Sequence, residues 1–294
     1  MVHAEASTRT MLDTSLGKVE YIDTGHGDPV LFVHGSPGGC DQGALMGAFL
    51  AQRGFRVIAP SRPGYLGTPL TEAMKEPDQQ ADLELALMDA LALERFAVMC
   101  WSGGGPSSYR LSVKHPDRVT ALVVLAGVSK TYDFANGINS LEYSLLTGGL
   151  GTWLFKEMAR HMPKQVVRMS VSDESNLSKD QAKELSEHIW NDEDKREFVL
   201  AISGTISGRK AGLSNDREQF PKIGNLDLGK IRVPTLLVHG TADTDVGPEQ
   251  TENAAACIPN VEVIRVPNGT HLCVWTDPTS ADVQQRIAAV VRGS

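Results

Sequence analysis

Short runs of consecutive apolar residues, bounded by glycine, proline or charged positions, alternate along this chain with longer stretches in which apolar residues return every third or fourth position. The first kind predicts strands buried on both faces, and the second predicts amphipathic helices laid against them. The runs place strands near Lys18–Asp23, Val30–His34, Arg56–Pro60, Phe96–Cys100, Thr120–Leu125, Thr235–His239 and Val261–Val266. Helices are expected between them, at Asp41–Arg53, Asp78–Leu93, Gly104–His115, Pro248–Cys257 and Thr279–Val291. In the second helix Leu83, Leu87, Ala90 and Leu91 recur at helical spacing, giving one stripe to set against a sheet. Alternation of this kind implies an α/β architecture with a mostly parallel, doubly wound sheet and helices on both faces.

The alternation stops after Leu125 and resumes near Val233. What lies between is helix-compatible, around Ser140–Phe155, Lys156–Met169, Ser178–Trp190 and Asp192–Ile206, followed by a glycine- and charge-rich return from Ser207 to Lys230. Ser178 and Gln181 have the spacing of a capping box, which marks a helix start. We therefore expect a core formed by residues 1–128 and 231–294, with residues 129–230 inserted as a helical cap.

Composition narrows the function. A chain of 294 residues with 41% hydrophobic and 22% charged positions is ordinary for a soluble domain with a sizeable core. The net charge of -8, with no basic run, excludes nucleic acid as an expected partner, since phosphate binding needs clustered Lys and Arg. Cys40, Cys100, Cys257 and Cys273 are scattered, as expected of reduced thiols rather than a disulfide framework or zinc site. Met1–Met11 lacks the apolar core of a secretory signal, and no apolar segment has bilayer-spanning length, so a cytoplasmic protein without membrane attachment is expected. Monomer and homodimer stay equally open.

The chemistry centres on Cys100-Trp101-Ser102-Gly103-Gly104, where an apolar run breaks into a serine flanked by small residues. A strand that ends abruptly and hands over to a helix leaves the turn serine presented at the carboxyl edge of the sheet, as a nucleophile. A serine hydroxyl needs a base, an acid that orients the base, and donors aimed at the developing oxyanion. Of eight histidines His271 is the expected base, because it follows the last strand through the flexible Pro267–Thr270 loop. His34 and His239 each end an apolar strand before a glycine, the position of a buried structural imidazole. Asp243, just past the penultimate strand, is the expected acid, with Asp245 and Asp133 as competitors. The loop His34-Gly35-Ser36-Pro37-Gly38-Gly39 supplies the oxyanion donors with the turn itself: the Ser36 amide, since Pro37 has none, and the Gly103 amide. A glycine-rich loop can also cradle a phosphate, but without Gly-Lys-Ser/Thr after it or Gly-x-Gly-x-x-Gly, nucleotide binding is not expected. Trp101, Tyr143 and Trp153 are candidates to line an apolar substrate pocket.

These residues, in the order Ser102, Asp243, His271, resemble the α/β-hydrolase superfamily with a helical cap, over nearly the whole chain. The His34–Gly39 loop is similar to the His-Gly-Gly-Pro-Gly-Gly loop of proline iminopeptidases, and Arg62-Pro63-Gly64-Tyr65 resembles the Arg-Pro-Gly-x-Gly loop of many capped hydrolases. Cys100 replaces the first glycine of Gly-x-Ser-x-Gly, Ser61 stands where such relatives carry aspartate, and Leu66 where they carry a second glycine. The resemblance implies a serine hydrolase acting on a small, partly apolar molecule without metal or organic cofactor. Carboxylic ester cleavage is the first expectation, ahead of aminopeptidase, carbon–carbon hydrolase or lactonase chemistry. A non-catalytic ligand-binding protein and a cofactor-free oxygenase or perhydrolase on the same fold stand further back. A serine at position 102 also argues against the haloalkane dehalogenase and epoxide hydrolase chemistry that relatives perform with aspartate.

Overall fold

The computed structural model describes residues 8–134, 157–206 and 209–293. Its centre is an eight-stranded sheet in the order β1-β2-β4-β3-β5-β6-β7-β8. The strands are β1 (Thr10–Thr14), β2 (Gly17–Gly25), β3 (Asp28–Val33), β4 (Phe55–Pro60), β5 (Phe96–Trp101), β6 (Val119–Leu125), β7 (Thr235–Gly240) and β8 (Val261–Val266). From β4 to β8 every pairing is parallel, whereas β2 runs antiparallel to both β1 and β4. Strand β1 escapes the sequence pattern for a physical reason: it is an edge strand with little buried side-chain surface, and Met11 within it is exposed.

Strand pleating sorts the core into two layers. Leu31, Val33, Val98, Cys100, Leu122, Val124 and Leu237 point to one face, and pack with α2 (Pro77–Ala90), α3 (Gly105–Lys114) and α8 (Glu249–Cys257) through Leu83, Leu87, Tyr109, Leu111 and Ala254. The alternate residues Val30, Phe32, Ala97, Met99, Ala121, Val123, Leu236 and Val238 face α1 (Cys40–Ala51) and α9 (Ser280–Arg292), where Met46, Leu50, Val283 and Ile287 meet them. Each fully buried Val, Leu, Ile, Phe or Met among them contributes about 1.5–3 kcal/mol by leaving water, and burial on both faces is why these strands appear as unbroken apolar runs. Helix α2 ends at Ala90, which is exposed, so only Leu83 and Leu87 of the expected stripe are fully enclosed.

Between β6 and β7 the described residues are helical, with α4 (Pro163–Ser172), α5 (Lys179–Asn191), α6 (Glu193–Ser203) and α7 (Lys210–Gln219). Ser178 caps α5 with the reciprocal Gln181 contact that its spacing implies. Asp192 caps α6. The expected helix Lys156–Met169 is interrupted at Met162, and α4 starts afresh with Pro163, whose fixed φ and missing N–H suit a first turn. The glycine- and charge-rich return segment, in which the sequence pattern names no helix, contains α7, which carries only one large apolar residue, Leu213, and is held by polar and backbone contacts that periodicity does not register. The expected helix Ser140–Phe155, and with it Tyr143 and Trp153, lies outside the described residues. Among the described residues no helix is long and apolar enough to cross a membrane.

Candidate active site

Strand order determines which loops meet. From β3 the chain moves outward to β4, then crosses back to β5 on the other side of β3, so the loops after β3 and β5 flank the point where the winding reverses. The pairing of Val33 with Cys100 sets the glycine-rich loop beside the serine turn. At that turn Ser102 has φ 52°, a left-handed conformation that costs a non-glycine residue about 1–3 kcal/mol. Packing enforces it: a Cβ at Gly104 would stand 2.5 Å from the Val33 carbonyl oxygen, and the Val128 amide donates to the Ser102 carbonyl at 3.1 Å. Cys100, in the place of a glycine, is fully buried in β5 and accommodated.

The loops after β7 and β8 are laced together. The Ala242 amide donates to Gly269 O at 2.9 Å, the Asn268 amide to Thr241 Oγ1 at 2.8 Å, and a Cβ on Gly240 would stand 2.2 Å from Gly269 O. This brings His271 Nδ1 to 2.6 Å from Asp243 Oδ2. Asp245, the competing acid, instead gives its backbone amide to Asp243 Oδ1 at 2.9 Å, and the Val246 amide joins it at 3.1 Å. The carboxylate is thus oriented through both oxygens. Trp101, next in chain to Ser102, donates from Nε1 to the His271 carbonyl at 3.2 Å, and its ring lies 4.6 Å from the imidazole. Trp101, a pocket candidate by sequence position, belongs to the core layer facing α1 and is also set edge-on to Trp275.

Two further histidines take the buried roles expected of them. The Arg62 amide donates to His34 Nε2 at 2.9 Å and His34 Nδ1 donates to Gly35 O at 2.7 Å, which requires the neutral ring. Burial, reinforced by Arg62, lowers its pKa well below the usual value. His239 does more than fill space. Its Nε2 donates toward Val246 O at 2.8 Å and lies 3.2 Å from Asp243 Oδ2, while Nδ1 accepts from the Thr251 hydroxyl at 2.6 Å. Chain order conceals this second contact to the acid.

Burial alone raises the Asp243 pKa, yet His271 and His239 outweigh it and bring it down to about 2. Burial alone depresses His271, yet Asp243, then Asp245 and Glu174, lift it to about 9. Glu174 arrives from the insertion: Ser175 bridges to Asp243, the Asn176 amide donates to Ala242 O at 3.0 Å, and the Thr244 amide donates to Glu174 O at 3.2 Å. Its Oε2 is enclosed without a hydrogen-bond partner, and burial followed by Asp245 pushes the carboxyl up to about 8.

Beside the serine turn, Ser36 stands against Gly103, where an added Cβ would meet Ser36 Oγ at 2.1 Å. The two expected oxyanion donors are therefore neighbours. The Ser36 hydroxyl donates to Asp216 Oδ2 at 2.5 Å and accepts from Arg62 Nη2 at 2.8 Å. Asp216, from α7, was not signalled by any motif. Among the described residues no group of three His, Cys, Asp or Glu side chains is placed to hold a metal ion.

Comparison with known proteins agrees with this architecture. Residues 28–278 match the family model described as alpha/beta hydrolase fold. A solved alpha/beta hydrolase fold protein from Nakamurella multipartita is 46% identical, with a TM-score of 0.93 over 98% of this chain and 100% of the other. An uncharacterized hydrolase of Bacillus subtilis, YcgS, is 27% identical over 90% of this chain and 92% of its own. A 2-hydroxy-6-oxononadienedioate/2-hydroxy-6-oxononatrienedioate hydrolase of Cupriavidus pinatubonensis is 25% identical over 92% of this chain and 91% of its own. With its winding reversal, its serine turn and a family match that spans most of its length, the chain belongs to the α/β-hydrolase fold family and is a hydrolase.

Proposed function

We propose that this hydrolase cleaves a carboxylic ester, or a related acyl bond, of a small and partly apolar substrate through a serine acyl-enzyme. The observation that carries the reading is the 2.6 Å contact between His271 Nδ1 and Asp243 Oδ2, in loops that the Trp101 hydrogen bond ties to the strained Ser102 turn. In this mechanism Ser102 Oγ attacks the carbonyl carbon as its proton passes to His271 Nε2. Asp243 keeps the remaining ring proton on Nδ1 and stabilises the imidazolium. The Ser36 and Gly103 amides receive the negative charge that develops on the carbonyl oxygen. Collapse of the tetrahedral intermediate expels the alcohol, which takes the proton from His271. Water, deprotonated by the same nitrogen, then releases the acid and restores Ser102. The helical insertion serves as the cap over this edge of the sheet.

The Cupriavidus relative supports a second reading, carbon–carbon bond hydrolysis by the same residues. The test compares wild-type protein with Ser102→Ala on short acyl aryl esters, a lactone, a proline arylamide and a vinylogous diketo acid, with fluorophosphonate labelling alongside. Ester turnover and labelling that vanish in Ser102→Ala while its melting temperature holds are expected. Ester turnover unchanged in Ser102→Ala, or an unlabelled and inactive wild type, refutes the proposal.

A further inference from the structure

We infer that Asp216 is a positioning residue for the oxyanion site: it holds the Ser36 hydroxyl from helix α7, the last α-helix between β6 and β7, and so sets where the Ser36 amide stands beside Gly103. The inference rests on the proposed roles of those two amides. Its physical basis is a closed polar cluster beneath the loop. Arg62 and Asp216 are 2% and 1% exposed, and they pair through both carboxylate oxygens, Nη1 to Oδ1 at 3.0 Å and Nη2 to Oδ2 at 2.7 Å. The Tyr65 hydroxyl donates to the same Oδ2 at 2.5 Å, as does Ser36 Oγ. Arg62 spends its other donors on the loop and its surroundings: His34 O and Gly35 O at 3.2 Å each, Gln80 Oε1 at 3.3 Å and Ser36 Oγ at 2.8 Å.

A buried ion pair of this kind is costly to desolvate and adds little net stability over an apolar replacement. Its distinguishing property is direction. Four donors converge on one carboxylate, and one of them belongs to a residue whose backbone is the proposed oxyanion donor. Gly35 precedes Ser36, and Gly38 and Gly39 follow Pro37, so the stretch has little side chain of its own with which to define its course. The Ser36 hydroxyl supplies that anchor. Helix α7 is itself held in place from the other side: the Gly212 amide donates to Gly64 O at 2.9 Å, and a Cβ on Gly212 would enter the Tyr65 ring at 2.3 Å. Phe220, just past α7, would stand 3.2 Å from a Cβ on Gly103. The α7 segment thereby packs against both Ser36 and Gly103.

Three substitutions test this: Ser36→Ala, which leaves the Arg62, Asp216 and Tyr65 contacts in place, Asp216→Asn and Tyr65→Phe. For each, kcat and KM on a short acyl aryl ester, the affinity for a tetrahedral arylboronic acid, the rate of fluorophosphonate labelling and the melting temperature are measured. We expect Ser36→Ala and Asp216→Asn to lower kcat and boronate affinity together by about tenfold or more, with KM within about threefold, because a displaced donor is felt only when charge develops. Tyr65→Phe is expected to lower both by a smaller factor in the same ratio. If Asp216→Asn fails to fold, Ser36→Ala decides alone. Variants that melt earlier but keep kcat and boronate affinity within twofold of wild type overturn the inference and leave the hydrolase reading standing. A wild type that neither labels nor turns over ester removes that reading, and the inference with it.

Discussion

His239 Nε2 lies 3.2 Å from Asp243 Oδ2, so the carboxylate that faces His271 is gripped by a second imidazole from behind. Two residues four apart in the chain, one near the end of β7 and one in the turn beyond it, make a single unit. Replacing His239 by Phe removes that donor and leaves the Thr251 hydroxyl and Val246 carbonyl without their buried partner. Losses of about 1–3 kcal/mol in stability and about tenfold in kcat are expected. Thermal melting and ester kinetics on the same preparation check both; unchanged kcat at reduced stability assigns His239 a packing role only.

Asp243→Asn should act on the tautomer. An amide in place of the carboxylate presents an N–H where His271 Nδ1 needs an acceptor, and serine hydrolysis then falls by about 10⁴-fold with little change in geometry. Steady-state kinetics measures the rate, and the imidazole proton resonances report the altered tautomer.

The pH profile follows from the charges around His271. Only the neutral ring accepts the serine proton, and its pKa stands at about 9, so kcat/KM should climb through neutrality, pass half its maximum near pH 9 and level off above that. Glu174, itself pushed up to about 8, is charged over the upper part of this limb, so Glu174→Gln should move the limb to lower pH and raise kcat/KM by about twofold around pH 8–9, with little change at pH 7. A limb that stays in place in the variant separates Glu174 from the base.

Stability carries the opposite signature at each end of the scale. Asp243 is lowered from 3.8 to about 2, so its contribution, about 2 kcal/mol, is present above the unfolded value and lost as pH falls through the folded one. His271 is raised from 6.5 to about 9, so its contribution is complete below 6.5 and disappears as pH rises through about 9. Melting temperatures from pH 2 to 10 for wild type and Asp243→Asn should show both flanks weakened in the variant.

Gly104→Ala tests the serine turn. Its new Cβ would stand 2.5 Å from Val33 O and 2.9 Å from His34 O, both backbone atoms that cannot swing aside. Helix α3 must retreat from β3, with an expected loss of about 1–3 kcal/mol and a fall in ester turnover from a displaced Ser102. Full activity and an unshifted melting curve in this variant contradict the close approach.

Seven of the eight strands, the helices on both faces and the positions of Ser102, Asp243 and His271 after their strands were legible in the sequence. Burial on both faces of a sheet and the demand for small residues at a sharp turn are local constraints, and both leave a mark in residue order. The edge strand Thr10–Thr14 and helix α7 left none, because one buries little and the other is held by polar contacts. Only the tertiary structure could set His239 behind Asp243, bring Glu174 from the insertion to His271, and close Asp216 onto Ser36. Those relations join residues as far as 180 positions apart. They depend on the order in which strands are laid side by side and on how an inserted segment returns across the sheet edge, and no periodicity along the chain encodes either.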